Sequence, residues 1–121
     1  MNIEECYEIM GGGYSDVLTR LPSPKMIEKF IVRFLEDKSY EMLCQHMEAG
    51  NRAEAFRAAH TLKGVCANLS FSRLLDSAAR LTEELRAEAD YISDEAASLL
   101  EEVRGDYEIT IDAINRFLEQ Q

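Results

Sequence analysis

His60 is the side chain of this sequence whose setting is best suited to chemistry. It interrupts the polar side of a run of small residues, AAHTLKGVCANL, that extends from Ala58 to Leu69. A histidine there is either an ordinary surface residue or an accessible nucleophile. With an ordinary pKa near 6.5, an exposed imidazole is largely neutral at neutral pH and can offer a nitrogen lone pair to phosphorus.

Helical geometry predicts that His60 points at solvent. Gly50 can end a preceding helix, and Asn51 followed by Glu54 is typical of a helix N-cap. At about 100° per residue, seven residues form one apolar stripe: Ala55, Ala58, Ala59, Leu62, Val65, Cys66 and Leu69. His60 lies about 160° from the centre of that stripe. It shares the outward face with Ala53, Arg57, Gly64 and Ala67.

The residues around His60 are unusual for a solvated helix face. Gly64 follows one turn later, where glycine costs about 1 kcal/mol relative to alanine. We therefore expect an imidazole that the backbone of a partner protein can approach closely. Lys63 lies on its flank, where it can offset negative charge. Phe56, one turn earlier, is expected to be partly exposed and to offer an apolar contact beside the ring.

The run His60-Thr61-Leu62-Lys63-Gly64 resembles the H-x-L-K-G signature of histidine-containing phosphotransfer (HPt) domains. The resemblance extends over most of the chain, because that family is an α-helical bundle of roughly this length. It implies that His60 carries a phosphoryl group on Nε2 and exchanges it with aspartates of response-regulator receiver domains. It further implies that Lys63 lies near the phosphoryl oxygens and that Gly64 leaves room for them. The residues expected to contact the partner are Phe56, Arg57 and Ala67.

Three positions depart from the pattern of that family. Many members have glycine where this chain has Ser70, and many have serine or alanine where it has Cys66. Members often place a glutamine on the following helix, where it holds the ring nitrogen opposite the phosphoryl group. Thr82 occupies that position here and is the candidate orienting group.

Composition limits the classes of partner and compartment. A net charge of −10 argues against a nucleic-acid partner, because phosphate backbones need a basic surface. No apolar run approaches the roughly 18 residues of a membrane span, and no signal peptide is apparent, so we expect a cytoplasmic protein without membrane contact. Cys6, Cys44 and Cys66 are too few and too widely spaced for a disulfide framework. We expect no metal site, since Cys44 and His46 would point to different helix faces.

The hydrophobic pattern predicts an all-α fold, an antiparallel four-helix bundle with short N-terminal flanking helices. We expect one domain over residues 1–121, with flanking helices in 1–21 and the bundle in 23–121. The bundle would begin with a helix from Pro24 to about Lys38 and a short helix from Ser39 to Ala49, with Met42 inward. Ile92 would continue the apolar line of the penultimate helix. Four methionines are predicted to fill the core: Met10, Met26, Met42 and Met47. The last helix would bury Leu100, Val103, Tyr107, Ile111, Ile114 and Leu118.

The function that this resemblance implies is a phosphorelay intermediate, not an enzyme with its own ATP site. No nucleotide-binding glycine motif occurs in the sequence. The chain itself would need no cofactor, and Mg²⁺ would come from the receiver domain. The other expected partner is a sensor or hybrid histidine kinase, and the expected state is a monomer. The dimerisation domain of a histidine kinase is disfavoured by Thr61 and Val65, which stand where that family commonly has an acidic residue and proline.

A different class of function remains open for the same scaffold. The chain could be a helical adaptor that binds a partner and performs no phosphotransfer. Its docking residues would be apolar side chains of the N-terminal segment together with one beside His60, namely Val17, Leu18, Leu21 and Phe56.

Overall fold

Seven helices follow one another in the computed structural model, which describes residues 1–87 and 89–121. They are α1 (Ile3–Met10), α2 (Tyr14–Arg20), α3 (Pro24–Phe34), α4 (Ser39–Glu48), α5 (Arg52–Leu69), α6 (Ser72–Leu85) and α7 (Asp94–Glu119). The described residues contain no strand, so the predicted all-α class is confirmed.

Several helix ends lie where the sequence has capping residues. Asn2 begins α1 with a capping box, and Gly11 ends it in the left-handed conformation at φ 73°. The Asn51 side chain accepts a hydrogen bond from the Glu54 backbone N–H at the start of α5, at 3.2 Å. At the start of α7, the Ser93 hydroxyl accepts from the backbone N–H of Ala96 at 3.1 Å.

The bundle joins helices that are neighbours in sequence and also brings the first helix to the last. Helix α5 packs against both α4 and α6, α6 packs against α7, and α1 lies against α7. Cys6 on α1 is fully buried, and its thiol lies 3.5 Å from the Ala113 carbonyl oxygen of α7. The division between flanking helices and bundle stays a prediction.

Two helices end earlier than their apolar patterns predict. Helix α3 stops at Phe34, and Asp37 then accepts a hydrogen bond from the Ser39 backbone N–H at 2.8 Å where α4 begins. Helix α6 stops at Leu85 and does not run as far as Ile92, which would have continued its apolar line only in a longer helix. The Arg52 guanidinium of α5 donates to the carbonyl oxygens of Leu85 and Ala89, which supplies partners for the end of α6.

Two of the four methionines predicted to fill the core are exposed. Met26 is 44% exposed and Met42 is 47% exposed, whereas Met10 and Met47 are buried. Met42 precedes the buried Leu43 by one residue and is therefore about 100° around the helix from it. A methionine is flexible enough to pack in a core, but its position on the helix decides whether it does.

The buried side of α7 also differs from the predicted stripe. Leu100, Val103 and Ile114 are buried as expected, but Tyr107, Ile111 and Leu118 are only half-buried. Thr110, Ala113 and Phe117 take the inward positions instead. Four buried residues of α7 recur every seven residues, or 3.5 residues per turn, namely Ala96, Val103, Thr110 and Phe117. A stripe that advances 3.6 residues per turn drifts from that inward face by about 20° per heptad.

The three cysteines are free thiols. Burial raises the pKa of the Cys6 thiol to about 11. Burial, with a smaller contribution from the Asp37 carboxylate, raises the pKa of the Cys66 thiol to about 12. Both thiols are therefore protonated at neutral pH and are held among core side chains.

Candidate functional site

His60 lies on the exposed face of α5, as the helical wheel predicts. The opposite face of the same helix is fixed in the core, where Ala59 and Leu62 are fully buried. Of the predicted apolar stripe, every residue is buried except Val65, which is half-buried. The outward residues that share the face with His60 are also exposed, namely Ala53, Arg57, Gly64 and Ala67.

An open groove of about 470 Å³ runs beside the imidazole. Its lining comes from α5 and from the end of α6, with Phe56, Arg57, His60, Thr61 and Arg86. The half-buried Phe56 ring has its centroid 6.0 Å from that of His60, tilted by 44°. The apolar contact expected beside the histidine is thus present.

Arg86 belongs to this groove, and the sequence analysis did not find it. Its guanidinium carbon lies 5.1 Å from the centroid of the Phe56 ring, in a cation–π arrangement. Its Nε and Nη2 donate to the two carboxylate oxygens of Glu83, at 3.3 and 3.0 Å. Arg86 immediately follows α6, so only the pairing of α5 with α6 brings it to Phe56.

Three cations surround the exposed face of His60 in a strongly acidic chain. Arg57 pairs with Glu54 at 3.2 Å, and Arg86 pairs with Glu83. Lys63, half-buried on α5, makes no ion pair within 4.0 Å among the residues described. The hydrogen bonds and charge of Arg86, and to a smaller extent the charge of Lys63, hold the pKa of the Glu83 carboxyl below its ordinary value.

Gly64 has open space where a side chain would begin. Apart from its chain neighbours and its own helix backbone, no heavy atom would lie within 4 Å of a β-carbon at this position. Packing within the described chain therefore does not require glycine at this position, although glycine destabilises a helix interior. The open space lies one turn from His60, on the same exposed face.

The family model of the Hpt domain matches residues 25–117. The chain belongs to the Hpt domain family. No curated protein and no solved structure matches it. Hpt domains take part in histidine phosphotransfer in phosphorelays, interact with receiver domains and kinases, and lack an ATP-binding catalytic site of their own.

In this Hpt domain, Thr82 stands at the position of the expected orienting group for the imidazole. It is fully buried, and its hydroxyl donates to the Ala78 carbonyl oxygen of its own helix at 2.7 Å. A group that holds the ring nitrogen opposite Nε2 has to accept the Nδ1 proton, and the buried Thr82 hydroxyl makes no such bond here. The orienting role of Thr82 stays a prediction. No side chain of the described residues hydrogen-bonds the His60 ring.

A second, more apolar groove of about 380 Å³ opens on the other flank of α5 in this Hpt domain. Val65 and Leu69 of α5 line it, together with Leu21 and residues of α3 such as Phe30 and Phe34. Val17, which the adaptor interpretation counted as a docking residue, is fully buried and is not available to a partner.

The described part of this Hpt domain contains no helix long and apolar enough to cross a membrane. Nor do its described residues bring together three histidine, cysteine, aspartate or glutamate side chains that could hold a metal ion.

Proposed function

We propose that this Hpt domain is a phosphorelay intermediate that carries a phosphoryl group on His60. It exchanges that group with the aspartate of a response-regulator receiver domain, or accepts it from a sensor or hybrid histidine kinase. The observation that carries the proposal is the exposed imidazole of His60 beside the open space at Gly64. A monomer is the expected state, because one exposed face then meets one receiver.

The chemistry is a direct displacement at phosphorus. The Nε2 lone pair of neutral His60 attacks the phosphorus of the aspartyl phosphate, and the bond between phosphorus and the aspartate oxygen breaks. The electron pair of that bond stays on the aspartate as a carboxylate. The Nδ1 proton stays on the imidazole, which becomes cationic until solvent removes that proton. Mg²⁺ bound by the receiver would neutralise charge during the transfer.

The residues around His60 supply position and charge rather than a base. Lys63 and Arg86 can neutralise the phosphoryl oxygens, and Gly64 lets the partner backbone approach. Phe56, Arg57 and Ala67 form the surface that the receiver contacts. Transfer at an exposed imidazole needs no activating base in the chain, because a neutral imidazole offers a nitrogen lone pair.

The test is transfer from a phosphorylated receiver domain in the presence of Mg²⁺, with the phosphate located by mass spectrometry under neutral conditions. We expect label on His60 that is labile to acid and stable to base. His60→Ala should lose all label and keep its helical circular dichroism, because the side chain is exposed. His46→Ala, which alters the only other histidine, is the matched control and should be labelled like the parent chain.

The adaptor function is the second candidate, favoured by the apolar groove beside Val65 and Leu69. It predicts that partners bind the folded protein while no receiver or kinase ever labels His60. Persistent absence of label, together with unchanged partner binding by His60→Ala, would replace the phosphotransfer proposal by this one.

A further inference from the structure

Glu83 occupies a position between the cations of the candidate site. It lies on α6, and its carboxylate accepts two hydrogen bonds from Arg86, at 3.0 and 3.3 Å. Lys63 of α5 is near enough for its charge to contribute to the lowered pKa of the Glu83 carboxyl. One carboxylate thus holds Arg86 at the end of α6, and the charge of a lysine of α5 also reaches it.

A continuous series of contacts joins Glu83 to the imidazole. Glu83 holds Arg86, Arg86 lies over the Phe56 ring at 5.1 Å, and that ring lies 6.0 Å from the ring of His60. Arg86 and His60 line the same groove. A phosphoryl group on His60 would therefore bring roughly two negative charges into a groove whose arginine is already bound to a carboxylate.

We propose that Glu83 competes with the phosphoryl group of phosphorylated His60 for Arg86. In the unphosphorylated protein Glu83 holds Arg86 in a bidentate pair. After phosphorylation Arg86 turns toward the phosphoryl oxygens and Glu83 is left as a neighbouring negative charge. Glu83 thereby disfavours the phosphorylated form and promotes return of the phosphoryl group to a receiver. This inference rests on the proposed function.

Because the pair is exposed, Arg86 can leave Glu83 for the phosphoryl group at a small cost in free energy. The side chains of Glu83 and Arg86 are 62% and 52% exposed, and an ion pair at that exposure contributes little to stability. A guanidinium matches the oxygens of a phosphoryl group as well as those of a carboxylate, so the fork that binds Glu83 can bind the phosphoryl group instead. Glu83 is in this sense a positioning residue that acts through Arg86.

The experiment measures how the phosphoryl group is distributed at equilibrium between a receiver aspartate and His60. Glu83→Gln should shift the distribution toward His60 by about two- to fivefold, the size expected for removing one exposed neighbouring charge. Its thermal unfolding should change little. Glu101→Gln is the matched control, because Glu101 forms an exposed pair of the same i, i+3 kind with Arg104 on α7. It should leave the distribution unchanged.

Arg86→Gln tests whether the effect passes through the arginine. In the Arg86→Gln background, Glu83→Gln should shift the distribution by less than half as much as in the parent chain. An equal shift in both backgrounds would overturn the proposed exchange, and so would an unchanged distribution for Glu83→Gln in a parent chain that is labelled. Failure of the parent chain to accept any label, from a receiver or from phosphoramidate, would instead contradict the proposed function on which this inference rests.

Discussion

Gly64 lies in the interior of α5, where alanine or glutamine would give a more stable helix. Packing does not explain the glycine, since open space surrounds its α-carbon. The remaining physical reason is outside the chain: a side chain at this point would stand between the imidazole of His60 and a docking protein. A local loss of helix stability is consistent with a surface shaped for close approach.

Gly64→Gln should therefore raise the stability of the protein while lowering its rate of phosphoryl transfer. We expect the free energy of unfolding to rise by about 0.5–1 kcal/mol, because glutamine is a better helix former than glycine. We also expect the rate of phosphoryl transfer to fall by at least about tenfold, because a misplaced partner loses in-line geometry.

Gly105→Gln is the control for this substitution. Gly105 is also exposed in a helix interior with open space at its β-carbon position, but it lies on α7. Its replacement should raise the free energy of unfolding, measured in urea, by a similar amount and leave the rate of phosphoryl transfer unchanged. Normal transfer by Gly64→Gln would show that close approach at this residue is not needed.

The sequence predicts the face of His60 and the cations of its own helix, but not the charges that α6 brings to it. The small-residue run and the period of 3.6 residues are enough to place His60, Arg57 and Gly64 outward. Glu83 and Arg86 lie more than twenty residues later, and their approach to Phe56 depends on the alignment of α5 with α6. A wheel drawn for one helix contains no information on that alignment.

At the scale of the helices, α2 holds the end of α5. Arg20 donates to the carbonyl oxygens of Ala67 and Asn68, at 3.0 and 3.2 Å, in the last turn of the helix, where Ala67 also accepts from the Ser70 backbone N–H. Ser70 then adopts the left-handed conformation at φ 55°, which costs a residue with a β-carbon about 1 kcal/mol. Its hydroxyl donates to Asp16 at 2.6 Å and accepts from Arg20, which offsets that cost. These hydrogen bonds explain how serine can occupy a position where many family members have glycine.

Asp16→Asn should weaken this connection in a pH-dependent manner. Hydrogen bonds from Ser70, then from Arg20, hold the pKa of the Asp16 carboxyl below its ordinary value of 3.8. A carboxyl of this kind stabilises the folded state above its unfolded-state pKa, and the contribution is lost as the pH falls through the folded-state pKa. We therefore expect a modestly lower melting temperature than the parent at neutral pH, and a difference that closes below pH 3.8.

A melting series over pH on both chains provides the measurement. Asp112→Asn is the control, since Asp112 forms an i, i+4 pair with Arg116 whose charged atoms are 4.0 Å apart. Its melting temperature should differ less from the parent at every pH. A constant offset for Asp16→Asn down to the most acidic sample would contradict the assignment to the carboxylate.

Helix starts are predictable from this sequence and helix ends less so. Asn51 and Ser93 accept hydrogen bonds from backbone N–H groups of their own first turns, so a short stretch of sequence contains the whole signal. The end of α6 at Leu85 depends on Arg52, a side chain of another helix. The local sequence therefore predicts helix starts that are capped in this way, whereas the end of α6 follows from a contact between two helices.

At the scale of the whole molecule, the first helix is part of the hydrophobic core. Tyr7 and Met10 are almost fully inaccessible, and the Tyr7 hydroxyl donates to the Leu69 carbonyl oxygen of α5 at 2.8 Å. Helix α1 thus contacts the bundle at α7 through Cys6 and at the end of the His60 helix through Tyr7. The family match begins at residue 25, so Cys6 and Tyr7, which make these contacts, lie outside the matched residues.

Removal of residues 1–21 tests whether the flanking helices are separable from the bundle. Four side chains of α1 are buried, namely Ile3, Cys6, Tyr7 and Met10. Burial of a large apolar side chain contributes about 1.5–3 kcal/mol, and a domain has about 5–15 kcal/mol in total. We expect the free energy of unfolding of the shortened chain, measured in urea, to be lower by about 3–6 kcal/mol once the smaller entropy cost of ordering the removed residues is subtracted. Glu8→Ala, on the exposed side of α1, should unfold like the parent. An unchanged urea midpoint for the shortened chain would mean that residues 22–121 fold alone and that α1 only covers a surface that is stable without it.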